Sequence, residues 1–179
     1  MTQITLAVTG SISAYKAADI TSQLTKLGLE VKVLMTPAAR KFITPLTLQV
    51  LSKNPVGLDV MIEEDPKRIE HIDIGKETDL FLVAPASANT IAKLAMGLAD
   101  NMVTSTALAL PQGTKKILAP AMNTKMLEHP ATQRNLKLLQ DYGYQIIQPR
   151  HATLACGDQG SGALATVESI VKTVKEHCL

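Results

Sequence analysis

The sequence predicts an α/β fold in which helices pack on a parallel six-stranded sheet. Short runs of β-branched and aliphatic residues alternate with helical patterns along the whole chain of 179 residues, which is typical of parallel strands joined by helices. Three stretches of small residues, 9–13, 85–90 and 120–123, each follow directly behind one of these runs. Because the carboxyl ends of parallel strands meet at one edge of a sheet, we expect a ligand site there.

The strands are predicted from the short apolar runs near residues 4–9, 30–35, 56–60, 80–84, 116–119 and 144–147. Between them, apolar residues recur at three- and four-residue spacing. In the first helix, for example, Ala17, Ile20 and Leu24 precede a stop at Gly28. The helices are predicted near residues 13–27, 45–52, 89–97, 101–110, 130–142 and 166–177.

The segment 148–163 has no clear periodicity and contains Pro149, Gly157, Gly160 and Gly162. Loops of this length inside a compact domain are usually lids, binding loops or disordered segments. Its cysteine and glycines favour an irregular functional lid or binding loop over a disordered segment.

Composition predicts one domain, residues 1–179, with a single large core. Hydrophobic residues make up 46% of the chain, but no apolar run approaches the roughly 18 residues of a membrane span. The start of the chain predicts no secretory signal, and two cysteines favour a reducing cytoplasm. A net charge of +2 without a basic cluster gives no reason to expect a nucleic-acid surface. The apolar composition also favours a homo-oligomer.

The first small-residue loop can hold a phosphate. Gly10 follows a strand and opens a helix, and the Ser11 and Ser13 hydroxyls add donors to the helix amides. The loop is not G-x-G-x-x-G, and strand two ends at Thr36 instead of the acidic residue of a nicotinamide site. FMN therefore fits better than NAD. The alternative is an ordinary Gly/Ser turn that caps a helix.

Three residues are candidates for chemistry. His71 precedes the run Ile-Asp-Ile, although a lone histidine is more often a surface or capping residue. Asn123 ends a strand in a proline-led turn, where a helix N-cap is an equal alternative. Cys156 lies in the irregular loop beside a glycine, which favours reactivity. The remaining histidines show no metal-ligand spacing, so no metal site is expected.

Five segments, in order, resemble the homo-oligomeric flavin-containing cysteine decarboxylases. The resemblance is strongest to those that act on phosphopantothenoylcysteine in coenzyme A synthesis, and it covers essentially the whole chain. The segments are Gly-Ser-Ile-Ser-Ala-Tyr-Lys at 10–16, the isolated His71, Pro-Ala-Ser-Ala-Asn-Thr at 85–90 with Gly-Leu-Ala-Asp-Asn at 97–101, Pro-Ala-Met-Asn-Thr-Lys-Met at 120–126, and Ala-Cys-Gly at 155–157. One departure is Leu127, where the family often has Trp.

The resemblance implies a three-layer Rossmann- or flavodoxin-like fold and a stand-alone decarboxylase that forms trimers or dodecamers. It implies that His71 is a base beside the flavin, that Asn123 holds the substrate carboxylate, and that Cys156 donates a proton. Because the family binds flavin at subunit contacts, His71 is expected to serve a neighbouring chain's site. The implied FMN contacts are Gly10, Ser11, Ser13, Thr36, Ser87, Ala88, Asn89, Thr90 and Ala121, and the implied substrate contacts are Asn123, Thr153, Leu154 and Ala155.

The chemistry of the substrate explains the need for a flavin. Loss of CO2 from an ordinary cysteine carboxylate would leave a carbanion with nowhere to delocalise. Oxidation of the neighbouring thiol to a thioaldehyde creates a group that accepts those electrons, and a flavin can take the hydride. Decarboxylation then gives an enethiolate, and return of the hydride with a proton yields the saturated thiol.

Other functions remain open at this point. A decarboxylase of C-terminal peptidyl cysteines would share most of these motifs. A flavin prenyltransferase of the same fold would lack the Pro-x-Met-Asn and Ala-Cys-Gly pair. A non-catalytic regulatory subunit is disfavoured, because such relatives carry long, often acidic extra segments and none is present. A Cys–His hydrolase is disfavoured because no nucleophile elbow or third triad member is evident.

Overall fold

The computed structural model describes residues 2–63 and 65–178 and contains one six-stranded sheet in the order β3-β2-β1-β4-β5-β6. All neighbouring strands of this sheet are parallel, so the predicted α/β class is confirmed. The strands are β1 Gln3–Val8, β2 Glu30–Met35, β3 Val56–Gly57, β4 Leu80–Ala86, β5 Lys115–Pro120 and β6 Tyr144–Ile146.

The strand order reverses between β1 and β4. β1 pairs with β2 on one side and with β4 on the other. The chain therefore adds β2 and β3 on one side of β1, and then β4, β5 and β6 on the other side. A reversal of this kind leaves a crevice outside the carboxyl ends of the two strands, where α/β proteins bind ligands. The loops after β1 and β4 therefore flank the expected ligand site.

Eight α-helices connect and cover the strands in the described part of the chain. The predicted helix 13–27 consists of a 3-10 turn over Ile12–Lys16 followed by an α-helix, and a second 3-10 turn covers Ala39–Lys41. Two α-helices, α3 and α6, were not predicted. The helices are α1 Ala17–Lys26, α2 Pro45–Ser52, α3 Glu70–Glu77, α4 Ala88–Met96, α5 Met102–Leu108, α6 Thr124–Glu128, α7 Pro130–Asp141 and α8 Val167–Cys178.

The helices form a layer on each face of the sheet. Side chains of α1, α2 and α8 pack with Leu80, Leu82 and Ala84 of β4 in one buried cluster. Side chains of α3, α4, α5 and α7 pack with Phe81 and Val83 in the other. Successive strand residues point to opposite faces, so β4 supplies both cores, and the predicted three-layer arrangement is confirmed. No helix among residues 2–63 and 65–178 is long and apolar enough to cross a membrane.

The third strand is shorter than predicted. It ends at Gly57, where a Cβ atom would lie 2.6 Å from Leu34 Cδ2. The chain then turns, because the Asp59 carboxylate accepts a hydrogen bond from the Met61 N–H at 2.9 Å. The residues up to 60 therefore leave the sheet instead of extending β3.

The prediction of an irregular loop at 148–163 is wrong, because this segment forms an antiparallel hairpin. Its strands are β7 Arg150–Thr153 and β8 Gln159–Ala163. The turn is closed by hydrogen bonds from Leu154 N–H to Asp158 O and from Gly157 N–H to Leu154 O, both at 2.8 Å. The hairpin is attached to the end of β5 by a hydrogen bond from Met122 N–H to Gly162 O at 2.9 Å.

Candidate active site

The loops after β1 and β4 are joined by one threonine. The Thr9 hydroxyl donates to Pro85 O at 2.6 Å and accepts from the Ser87 N–H at 2.9 Å. Thr9 is fully buried, so water does not compete for these bonds. The two loops that flank the crevice therefore hold a fixed position relative to each other.

The loop after β1 is compact and rich in hydroxyl groups. Ser11 caps the 3-10 turn by accepting from the Ser13 N–H at 3.3 Å, and its own proton remains available to donate. A Cβ atom at Gly10 would lie 2.5 Å from the Ala38 Cβ. Glycine therefore lets the loop after β2 approach the loop after β1. The predicted capping role and the predicted ligand role of this loop are compatible.

The loop after β4 starts a helix at the same edge. Ser87 caps α4 by accepting from the Thr90 N–H at 3.3 Å, and Thr90 is buried. Ala88 and Asn89 occupy the first turn, where Asn89 is exposed. This turn presents polar side chains and helix N–H groups beside the crevice.

Two further predicted flavin contacts are buried at this edge. Thr36 lies directly after β2, and its hydroxyl accepts from the Ala39 N–H at 3.2 Å. Ala121 lies directly after β5, and its N–H donates to Ala86 O at 3.0 Å. The Ala121 N–H is used in an internal bond, so Ala121 shapes the crevice, whereas the Thr36 hydroxyl only accepts and keeps its own proton to donate.

Asn123 and Cys156 are brought together across 33 residues of sequence. The Asn123 amide nitrogen Nδ2 donates to Cys156 Sγ at 3.3 Å. The Asn123 oxygen Oδ1 accepts from the Lys125 N–H at 2.9 Å and caps α6. The thiol in turn donates to Asp158 Oδ2 at 3.4 Å. The cap therefore fixes the amide in the orientation that meets the thiol.

A cleft of about 390 Å³ lies between the hairpin and the loop after β1. We call it the hairpin cleft. Asn123 and Cys156 line it. It also holds the other predicted substrate contacts and two of the predicted flavin contacts: Thr153, Leu154, Ala155, Ser11 and Ser13. The remaining predicted flavin contacts lie outside the cleft, around the crevice between β1 and β4.

His71 is not part of the hairpin cleft within the described residues. It lies in the first turn of α3, and α3 ends only two residues before β4 begins. The His71 end of α3 is therefore nearer the carboxyl edge of the sheet than the amino edge. Its Nδ1 atom is buried without a hydrogen-bond partner in the described chain. One protomer thus assembles Asn123 and Cys156 but leaves His71 apart from them.

The motif at 97–101 has a structural role. Gly97 ends α4 with a φ of 69°, and Asn101 starts α5 through reciprocal bonds with Thr104. The Lys93 ammonium hydrogen-bonds to the Asp100 carboxylate and holds the pKa of Asp100 below its usual value. The predicted helix start at Asp100 and Asn101 is confirmed.

Sequence reasoning missed three polar residues around the cleft. Asp158 contacts the thiol, and Lys16 and Arg150 line the cleft wall. The pattern Cys-Gly-Asp at 156–158 is a tight-turn signal that would have placed Asp158 near Cys156. Arg150 alternates with Ala152 and Leu154 as strand residues on one face do, but the segment was not recognised as a strand.

The donors at this edge suit FMN. The Ser11 and Ser13 hydroxyls and the Asn89 amide match a cofactor that carries a phosphate and a polyhydroxyl chain, and the Ser87 hydroxyl, which donates to Thr90 Oγ1 at 3.3 Å, can still accept from it. They lie on two loops that meet at the reversal of strand order, the usual ligand position in open α/β sheets. The residues present therefore fit the cofactor predicted from the sequence.

A sequence model of the family described as Flavoprotein matches residues 1–179. The chain belongs to the flavoprotein family. It is 63% identical over 175 residues to a probable phosphopantothenoylcysteine decarboxylase of Streptococcus mutans, and the match covers 98% of each protein. It is also 46% identical to the coenzyme A biosynthesis bifunctional protein CoaBC of Bacillus subtilis, over 97% of this chain but 42% of that longer protein.

The fold of this chain is also similar to that of two solved structures of flavoproteins. A cysteine-to-serine mutant of PPC decarboxylase, complexed with pantothenoylaminoethenethiol, is 32% identical with a TM-score of 0.90, covering 98% of this chain and 97% of that one. The FMN-binding protein AtHal3 is 31% identical with a TM-score of 0.87, covering 99% and 96%. The predicted family resemblance and fold are confirmed.

Proposed function

We propose that this chain is an FMN-dependent decarboxylase that converts phosphopantothenoylcysteine to phosphopantetheine in coenzyme A biosynthesis. The contact of 3.3 Å between Asn123 Nδ2 and Cys156 Sγ carries the proposal. It places an amide donor and a thiol in one cleft, beside loops that fit a flavin. The likeness to a probable decarboxylase of this substrate over the full chain supports the same reaction.

The cofactor is FMN, held at the crevice between β1 and β4. When bound there, the flavin would supply a two-electron acceptor for the hydride of the thiol-bearing carbon and a hydride donor for the last step. The flavoprotein family and the FMN-binding relative support this assignment. The holding residues are Gly10, Ser11, Ser13, Thr36, Ser87, Ala88, Asn89, Thr90 and Ala121.

Asn123 orients the substrate carboxylate. Its amide nitrogen carries two N–H donors, of which one meets Cys156 Sγ, so the other is free for a carboxylate oxygen. A neutral donor fixes the direction of the carboxylate without the strong ion pair that would over-stabilise the ground state. Thr153, Leu154 and Ala155, on the same hairpin as Cys156, enclose the rest of the cysteine moiety.

Cys156 donates the proton that completes the saturated thiol product. The thiol is exposed within the cleft and lies between the Asn123 amide and the Asp158 carboxylate. The mutant PPC decarboxylase with serine in place of a cysteine, complexed with an aminoethenethiol, supports a late proton transfer from cysteine in this family. For these residues the order of events would be positioning of the carboxylate by Asn123 while the thiol-bearing carbon is oxidised, loss of CO2 to the enethiolate, and protonation by Cys156 as the hydride is returned.

His71 serves as the base in the site of a neighbouring chain within a homotrimer, which can assemble further into a dodecamer. Three exposed apolar residues precede His71: Met61, Ile62 and Ile69 are 86%, 63% and 55% exposed. Exposed apolar side chains that lie together favour a contact surface, and Met61 and Ile62 are adjacent in the sequence. The His71 side chain is half-buried, so part of its ring remains accessible to a neighbour's flavin at that surface. Each chain is a single flavoprotein domain over 1–179 and works in the cytoplasm.

The test begins with the visible spectrum of the purified protein. We expect a flavin absorbance, release of FMN on denaturation, and CO2 production from phosphopantothenoylcysteine. A peptide that ends in cysteine serves as the competing substrate, and faster turnover of the peptide would assign the chain to the peptidyl-cysteine alternative. Folded protein that binds no FMN when offered an excess would overturn the proposal.

A further inference from the structure

The hairpin cleft contains a pair of cations that the proposed chemistry leaves without a role. Lys16 and Arg150 are its charged lining residues, and within the described chain no carboxylate lines it. We propose that Lys16 and Arg150 together bind the phosphate group of the substrate. This inference rests on the proposed function and extends it from the reacting end of the substrate to its far end.

Lys16 is positioned by the 3-10 turn that follows β1. It is the last residue of Ile12–Lys16 and is half-buried. Its Nζ lies 5.9 Å from the centroid of the Tyr15 ring, a distance at which a ring face attracts a cation. The ammonium group therefore remains at the cleft wall and has its three donors for a ligand.

Arg150 is held from the opposite wall of the cleft. It begins β7, and its Nε donates to Leu164 O at 2.9 Å. This bond uses one guanidinium donor and leaves the terminal nitrogens for another acceptor. A fixed guanidinium edge binds phosphate oxygens with defined geometry, whereas lysine acts as a mobile point charge. The two residues therefore supply complementary parts of a phosphate site.

Within the described part of the chain, the two cations have no carboxylate counter-ion. Neither Lys16 nor Arg150 forms an ion pair with a carboxylate among residues 2–63 and 65–178, whereas Lys32 and Lys93 each form one. The carboxylate nearest in sequence to the hairpin turn, Asp158, contacts the Cys156 thiol instead. Two unpaired positive charges in a concave cleft attract a dianion. A phosphate monoester has that charge near neutral pH.

The position of Arg150 favours the substrate phosphate over the phosphate of the cofactor. Arg150 belongs to the same hairpin as Thr153 and Cys156 and shares one cleft with Asn123. Ser87 and Asn89, by contrast, lie on the loop after β4 and are not lining residues of this cleft, whereas Ser11 borders both the cleft and the crevice. The substrate carries a carboxylate for Asn123 and, at its other end, a phosphate for the cation pair. A Cys-ended peptide lacks this phosphate.

The experiment compares phosphopantothenoylcysteine with the same compound lacking its phosphate. The variants are Lys16→Met and Arg150→Met, with Lys16→Arg and Arg150→Lys as charge-retaining partners. Lys172→Met, which removes an exposed lysine of α8 outside the cleft, is the matched control. For each protein, kcat and KM for CO2 release are measured with both compounds, and bound FMN is quantified by its absorbance.

We expect the preference for the phosphorylated compound, as the ratio of kcat/KM values, to fall at least about tenfold in each Met variant. The loss should be in KM with little change in kcat, FMN content should stay at the wild-type level, and the charge-retaining variants should recover most of the preference. A loss of FMN would assign the cations to the cofactor phosphate and overturn the inference. An equal loss with both compounds would also overturn it.

The two proposals fail in different ways. Wild-type protein that releases no CO2 from either compound would contradict the proposed function itself. If the wild-type protein is active and every variant keeps the same preference for the phosphorylated compound, only the proposed role of the cation pair is contradicted. Because Arg150 also bonds to Leu164 O, Arg150→Met can weaken the hairpin. The Lys16 side chain makes no hydrogen bond within the described residues, so Lys16→Met should leave the fold intact. The result with Lys16→Met then decides between the two explanations.

Discussion

At the scale of single residues, Asn123 shows why two alternatives at one position need not exclude each other. The sequence offered a helix N-cap or a ligand contact. The structure shows the cap through Oδ1, which accepts from the Lys125 N–H, and a donor at Nδ2, which meets Cys156 Sγ. The cap fixes the side-chain rotamer, and the fixed rotamer aims the donor. A residue with both roles is difficult to assign from sequence, because each role alone explains its presence.

Asn123→Asp separates the two roles of this residue. Aspartate caps a helix as well as asparagine does, so we expect the melting temperature to stay within about 2 °C of wild type. The new carboxylate repels the substrate carboxylate and has no N–H to donate, so kcat/KM should fall about 100-fold or more. Thermal unfolding and CO2 release on the same samples check both expectations.

Asn123→Ala is the matched comparison for that variant. Alanine removes the cap and the donor together, so it should cost about 1 kcal/mol of stability in addition to the activity. If Asn123→Asp instead retained near wild-type turnover, the carboxylate-binding role of this residue would be wrong.

At the scale of elements, the hairpin β7–β8 and the helix α3 were missed for the same physical reason. Glycines occur inside both where another segment approaches closely. A Cβ atom at Gly75 in α3 would lie 3.2 Å from Ala109 O, and one at Gly160 would collide with Thr124 Oγ1. These contacts are tertiary, so a local periodicity search treats the glycines as breaks. The six central strands carry short runs rich in apolar residues and were all predicted, although β3 is shorter than expected.

Gly162→Ala tests whether the hairpin must pack on the Asn123 loop. Gly162 has a φ of 137°, and an added Cβ would collide with Met122 O. The Gly162 carbonyl also accepts the Met122 N–H that anchors the hairpin. We expect displacement of Cys156 from Asn123, a loss of about tenfold or more in CO2 release, and a melting temperature lower by at least about 4 °C.

Gly113→Ala is the matched control for this change. Gly113 also has a positive φ, 91°, but an added Cβ there meets nothing within 4 Å. It should lower stability through backbone strain alone, by about 1–2 kcal/mol, and leave turnover unchanged below the melting temperature. Equal turnover in the two alanine variants would show that the hairpin position does not matter for catalysis.

At the scale of the whole molecule, the sequence predicted which edge of the sheet carries the site better than it predicted which side chains meet there. The carboxyl-edge loops follow directly from the order of strands and small residues, so Ser11 and Ser87 lie at the crevice as expected. The meeting of Asn123 and Cys156 depends on how the hairpin folds back over β5, which no local pattern specifies. His71 lies outside the cleft of its own chain, and its expected role in a neighbouring chain's site came from the family resemblance and not from any local pattern.

A mixing experiment tests whether sites are shared between chains. His71→Asn and Cys156→Ser should each be inactive alone as flavin-loaded proteins. If His71 serves a neighbour's Asn123 and Cys156, co-expression in equal amounts should give about a quarter of the sites both intact residues, one from each chain, and recover that fraction of CO2 release. A site built within one chain predicts no recovery, because every chain then carries a defect in its own site.

The control pairs two defects within one hairpin cleft. Asn123→Asp and Cys156→Ser affect residues that lie 3.3 Å apart in the same chain, so their mixed oligomers should stay inactive under either arrangement. Native mass spectrometry establishes that mixed oligomers form in both experiments. Activity from the His71 mixture but not from the Asn123 mixture can arise only if the base crosses a subunit boundary. If both mixtures are inactive although mixed oligomers form, His71 acts within its own protomer. There is then no reason to expect a site shared between chains.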